Sequence, residues 1–316
     1  MPLNYLKTAV LLVALTTIFV AMGGFVGGKM GLALAFVVAL AMNVFAFWKS
    51  DQMVLRLHGA AEVDAQSGGQ FYAIVQGLAE RAGLPMPRVY VMQSPQPNAF
   101  ATGRSPAHAA VCASTGLLDM LSSEELAGVI AHELSHVKNR DTLTMTVAAT
   151  MAGAISMIAN WLQVSALFGN RTGKGRLATF AAMLIAPFAA MRVQMAISRS
   201  REYQADRLGA MLCGNPAWLA SALAKINEAV RRIPNATASD APATAHLFIV
   251  NPLSGRGLDS LFTTHPSTEN RIAELRKLAA EMGLAFDLNS ARSGQVARAG
   301  PTAGQPDWSP SRGSRG

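Results

Sequence analysis

"VIAHELSHVKNRD", from Val129 to Asp141, is the stretch on which the rest of the chain is read. His132 and His136 are four positions apart, a little over one helical turn, so on a helix both imidazoles project from one face. With Glu133 beside the first histidine, this is the spacing by which a helix offers two nitrogens to zinc. The carboxylate then points beside the ion, where it can take a proton from water. Ser122 and Glu125, just upstream, have the S-x-x-E spacing of a capping box, which opens the helix that carries the stretch. An ordinary solvated helix would need all of these residues to fall into register by chance.

A catalytic zinc takes three protein ligands and leaves its fourth position to water. The third ligand has to come from outside this helix, from His58, His108, His246, His265 or a carboxylate. Downstream, "SRSREYQADRLG" (Ser198 to Gly209) sets Glu202 and Asp206 four apart, so they share a helical face. One can reach the metal while the other hydrogen-bonds a ligand histidine. Alone, such a pair is a weak signal and is commonly a solvated face.

Between the two motifs the chain is apolar, and the totals agree. Charged residues make up 15% and apolar residues 51% of the 316 positions, whereas soluble domains carry about a quarter charged residues. Two uncharged runs open the sequence, "AVLLVALTTIFVAMGGFV" (Ala9 to Val26) and "MGLALAFVVALAMNVFAFW" (Met30 to Trp48). Each nears the roughly 20 residues that cross a bilayer, and "GGK" (Gly27 to Lys29) between them predicts a helical hairpin. A signal peptide with Lys7 as its basic start and a cleavage site near Ala21 to Gly24 is the competing reading. The second run following almost at once favours a retained hairpin.

Further apolar segments, Leu143 to Leu167 and Leu177 to Ile197, predict a second hairpin rich in small and hydroxyl residues, read as membrane spans with a buried soluble hairpin as the competing reading. It is weaker, because Thr144, Asn160 and Gln163 interrupt the first segment and Pro187 the second. An even number of spans would return Glu202 to the side of the membrane that holds His136. Most Lys and Arg lie outside the spans, as on cytoplasmic flanks, although Arg171, Lys174 and Arg176 in the short linker fit a periplasmic position poorly. The net charge of +8 is therefore read as membrane flanking; no nucleic-acid signature accompanies it. Cys112 and Cys213 form no framework and weakly suggest a reducing compartment.

The soluble parts read as α+β. Gln70 to Leu84, "PAWLASALAKINEAVRRI" and "STENRIAELRKLAAEM" have helical apolar spacing. "RVYVM" and "AAVCAS" read as short strands with "NAFATG" (Asn98 to Gly103) between them. The expected divisions are an N-terminal transmembrane hairpin (1–48), a first domain part (49–142), the second hydrophobic hairpin (143–197), a second domain part (198–288) and a disordered tail (289–316).

"AHELSHVKNRD" and "SRSREYQADRLG", supported by "THPSTENRI" (Thr264 to Ile272) and "QPNAFATG", resemble the HtpX family of bacterial membrane zinc endopeptidases. The resemblance runs from the first hairpin to about residue 280. It implies a mostly α, α+β fold: membrane helices with a gluzincin-type zinc protease domain carrying a small β-sheet. It implies one zinc per subunit held by His132, His136 and Glu202, with Glu133 as catalytic base, which leaves Asp206 for the outer layer. It further implies a multi-pass inner-membrane protein with a cytoplasmic site, acting on misfolded or damaged membrane proteins. His265 matches a family histidine close to the catalytic centre and is the candidate oxyanion donor; equally, it could serve the start of the helix at Ser267.

Asn98 either fixes a substrate carbonyl or starts a strand whose edge receives substrate; equally, it is a turn-forming residue before a core Phe. Arg271 either pairs with a carboxylate or faces solvent, the commoner fate of arginine. Two rival functions are a membrane scaffold or chaperone adaptor with a structural metal, and a prenyl-protein protease. A structural zinc wants four protein ligands, and an enclosed chamber would need several more spans.

Overall fold

The computed structural model describes residues 2–143, 199–233, 249 and 266–288. The expected second hairpin (143–197), His246, His265 and the tail (289–316) lie outside the described residues, apart from Leu143 at the hairpin's start.

Helix α1 (Pro2–Leu57) reverses at Gly28, whose φ of 59° and ψ of −143° break the helix into two arms. The arms run back along each other: the Asn43 side-chain amide donates to Thr16 Oγ1 at 2.7 Å. Near the turn they touch backbone to backbone, and a Cβ on Gly31 would sit 2.2 Å from the Gly23 carbonyl oxygen. Among the described residues one stretch, Gly27–Phe45, is long and apolar enough to cross a membrane. Met30, Leu34 and Phe36 are exposed on it.

The composition change at Lys49 falls inside α1, which continues to Leu57. There Val54 and Leu55 are buried against Tyr90, Met92, Phe100 and Cys112. A polar chain fixes the same junction. Arg88 donates to Asp51 Oδ2 and to the Tyr90 hydroxyl, both at 3.0 Å, and that hydroxyl donates to Glu62 at 2.8 Å.

The sheet is mixed and four-stranded: β1 (Ala61–Val63), β2 (Arg88–Met92), β3 (Ala99–Gly103) and β4 (Ala109–Ser114), in the order β1-β2-β4-β3. β2 and β4 are parallel and the two outer pairs antiparallel, so the "NAFATG" segment supplies an edge strand. The sheet is covered on both faces. Alternation sends Phe100 and Cys112 to the side of α1, and Ala99, Ala101, Val111 and Ala113 to the larger core.

That core contains α2 (Gly69–Ala82), the short α3 (Thr115–Met120), α4 (Ser123–Asn139), α5 (Arg199–Cys213), α6 (Pro216–Arg232) and α7 (Thr268–Glu281). The domain is mostly helical with a small mixed sheet, an α+β arrangement.

Candidate metal centre

Helix α4 begins as its sequence predicts: the Ser122 hydroxyl accepts from the Glu125 amide at 3.2 Å, and Glu125 Oε2 accepts from the Ser122 amide at 2.9 Å. Glu125 is itself buried and holds Lys225 and Ser221 of α6, both at 2.7 Å. Val129, Ile130, Leu134 and Val137 anchor the helix in the core. His132, Glu133 and His136 are buried too, each at 5% exposure or less. Three polar groups taken from water at one spot need compensation there.

Helix α5 supplies it. Glu202 Oε2 lies 3.7 Å from His132 Nε2 and Glu202 Oε1 lies 3.7 Å from His136 Nε2, with the two Nε2 atoms 3.2 Å apart. A tetrahedral zinc with bonds of about 2.0–2.1 Å separates its donor atoms by roughly 3.3 Å. Among the described residues this is the group of three with donor atoms close enough for one ion. His58, packed against Phe100, and His108, beside Ser105, stand apart from it.

The next layer of contacts orients the donors. His132 Nδ1 is 2.9 Å from Asp206 Oδ1, and His136 Nδ1 is 3.4 Å from Asp141 Oδ2. A ring that gives its Nδ1 proton to a carboxylate turns a lone pair outward on Nε2. Two such lone pairs facing each other at 3.2 Å repel unless a cation lies between them. The donor set therefore fits a divalent metal.

The electrostatics agree. Burial pulls His132 down to about 4, offset only in part by Asp206, so the imidazole is neutral as a ligand must be. Burial also opposes charge on His136, but the Asp141 hydrogen bond and the Glu202 and Glu133 carboxylates outweigh it and lift the ring to about 9. The field at that point favours positive charge, whether a proton or a metal ion.

Asp206 is clamped in turn by Arg271 of α7, whose Nε and Nη2 donate to its two carboxylate oxygens at 2.8 and 2.7 Å. Burial would raise Asp206, yet the guanidinium and His132 hold it near 2. Arg271 is 1% exposed and also donates to the Ile249 carbonyl at 2.8 Å. Of the two readings of Arg271, pairing with a carboxylate is the one observed, and the solvent-facing one is corrected. Each of the three nitrogens of this buried guanidinium donates to an oxygen, which offsets its removal from water.

Asn98 is buried in the frame of the strand. Its amide donates to Ser114 Oγ at 2.8 Å, its carbonyl accepts from the Ser114 amide at 2.8 Å, and its Oδ1 accepts from the Ile249 amide at 3.4 Å. These contacts suit the strand-starting reading. The same Asn98–Ser114 pairing fixes the alternation along β3, so the amides of Ala99, Ala101 and Gly103 point away from β4. One of them reaches the site: the Ala101 amide donates to Glu133 Oε2 at 2.8 Å. Thr142 Oγ1 donates to the Gly103 carbonyl on the same edge.

Asp141 and the Ala101 amide are the groups beside the site that sequence reasoning does not identify, and for Arg271 it leaves open which carboxylate is the partner. Asp141 is turned back to His136 by Arg140, which caps α4 in the left-handed region at φ 59°. A non-glycine residue in that conformation carries no sequence signal.

Gly209 explains how α5 comes close enough. A Cβ there would lie 2.7 Å from the His132 backbone nitrogen and 2.8 Å from its Cα. Gly209→Ala is expected to push the helices apart, costing about 1–3 kcal/mol and weakening metal binding. Thermal unfolding together with a zinc titration checks this; an unchanged affinity would count against the tight helix contact as what places Glu202.

Two histidines and a glutamate, on two helices behind an edge strand, form a buried group that could hold one metal ion. Residues 65–279 match Peptidase family M48, and the chain belongs to that family. A solved structure similar to it is the crystal structure of S. mikatae Ste24p, at 18% identity and a TM-score of 0.48. The match covers 86% of this chain and 65% of the other, so this chain spans less than two thirds of that one.

Proposed function

We propose that the chain is a zinc-dependent membrane endopeptidase with His132, His136 and Glu202 as ligands, Glu133 as base and Asp206 as the support of His132. The observation that carries this reading is the buried Glu133, set beside a three-donor cluster and hydrogen-bonded to the edge strand. A structural metal would give that carboxylate no task. When bound, zinc supplies Lewis acidity towards water and towards a peptide carbonyl.

The chain's own groups do the rest. The Ala101 amide holds one oxygen of Glu133 and so aims the carboxylate. Glu133 takes a proton from the attacking water and delivers it to the departing amine. An extended substrate adds along β3, using outward main-chain groups that Glu133 and Thr142 do not occupy, which gives affinity with little side-chain preference. Asn98 serves this by fixing where the strand begins. His265 is retained as a candidate oxyanion donor, because Pro266 and α7 follow it directly and α7 carries Arg271 into the site.

Membrane attachment rests on the exposed apolar Gly27–Phe45 arm. Multi-pass insertion in a bacterial inner membrane, a cytoplasmic site, and misfolded or damaged membrane proteins as substrates follow from the resemblance in the motifs.

The deciding experiment is zinc stoichiometry in detergent for the parent chain and Glu202→Ala. The parent is expected to hold one zinc and the variant none, with peptide hydrolysis lost alongside. Full zinc occupancy in the variant would remove Glu202 from the ligand set.

A further inference from the structure

Strand β3 is gripped from both sides. On one face Phe100 packs with Val54 and Leu55 of α1. On the other, Ala99 and Ala101 belong to the core that holds α4, and the Ala101 amide bonds Glu133. The apolar arm, the edge strand and the base-bearing helix thus form one stack with no linker between them. At the end of β3, the Arg104 guanidinium lies 4.8 Å over the ring of Trp48, which is 54% exposed. Tryptophan at the end of an apolar span settles at headgroup level, and an arginine stem can lie along it with its charge in water.

From these contacts we infer that the unbroken run of α1 into the sheet fixes the height of the reaction centre above the bilayer, so that cleavage is selected by distance from a membrane span. This rests on the membrane endopeptidase reading and adds the rule by which substrate bonds are chosen. Ala101 is three residues from Arg104, about 10 Å along an extended strand. A substrate chain leaving its own span must cover the height this path spans, at most about three extended residues, before a bond reaches Glu133. Bonds closer to the membrane are out of reach. Bonds farther out are reached with an effective concentration that falls as the tether lengthens.

The test uses the full chain in phospholipid vesicles with a substrate made of one spanning helix and a disordered segment. A single short cleavable sequence recurs along that segment, and mass spectrometry maps the cuts. The identical segment is also offered as a soluble peptide. The soluble form is expected to be cut at every repeat. The tethered form is expected to be spared over its first three residues, cut most in the next few, and cut progressively less beyond.

A seven-residue helical insertion between Lys49 and Ser50 adds about 10 Å over nearly two whole turns, so the same face is kept. It is expected to move the spared zone outward by about three residues while leaving soluble cleavage in place. Coincident patterns on tethered and soluble forms would overturn the inference. So would an insertion variant that cuts the soluble peptide and leaves the spared zone where it was. If the insertion variant cuts neither form, the parent pattern alone decides. A parent chain that cuts neither form refutes the endopeptidase reading itself, and the distance rule with it.

Discussion

Glu133→Gln is expected to bind one zinc as tightly as the parent chain and to hydrolyse peptides roughly 10²–10⁴-fold more slowly, the range of a lost general base. The reasoning separates the two duties of the side chain. Glutamine has the same shape, and its carbonyl oxygen still accepts from the Ala101 amide, so strand and helix stay in register. His132, His136 and Glu202 are untouched, so the donor set is preserved. What disappears is the ability to hold a proton between attack and departure. Metal content and turnover therefore have to be measured on the same preparation. Retained hydrolysis would mean that another group moves the proton. Zinc lost together with activity would mean that Glu133 is part of the metal's support.

The second large effect is expected at Arg271. Arg271→Leu leaves the Asp206 carboxylate buried beside His132 without its cation, and stranding one member of a buried pair costs about 3–5 kcal/mol. Zinc affinity is expected to fall roughly 10–100-fold as well, because Asp206 orients a ligand histidine. A double variant distinguishes the two contributions. Arg271→Leu with Asp206→Asn removes both charges and is expected to recover much of the stability while leaving the affinity low. Arg271→Lys keeps a charge but cannot form the two-pronged contact, so it should fall between parent and Leu. Unfolding by denaturant in detergent and zinc competition against a chelator give the two readouts. A Leu variant as stable as the parent would show that the clamp is dispensable.

Local chemistry made part of this legible in the sequence. The His132–His136 spacing, the Ser122–Glu125 box and the apolar faces of α2, α6 and α7 are short-range patterns, and the structure shows the helices they predict. Glu202 and Asp206 were legible as a pair, and their different placements came only through resemblance, since spacing cannot say which carboxylate faces a metal. Arg271 was ambiguous because burial of a guanidinium depends on partners distant in the chain. Asp141 was hidden behind an arginine in a left-handed cap. β1 is not legible in the sequence because "AEV" is too short to alternate and is largely exposed. The run of α1 past Lys49 is obscured for a different reason: composition changes where the apolar run ends, whereas the helical hydrogen bonding continues to Leu57.

The donors of this centre come from widely separated parts of the chain, with Arg271 139 residues after His132. At about 5–20 residues per second, a ribosome needs roughly 7–28 s to travel that distance. For nearly all of that interval the nascent polypeptide has both histidines but lacks the clamp that aligns one of them. The contacts around His132 are thus complete only once α7, the last of the described helices, has been made and has docked.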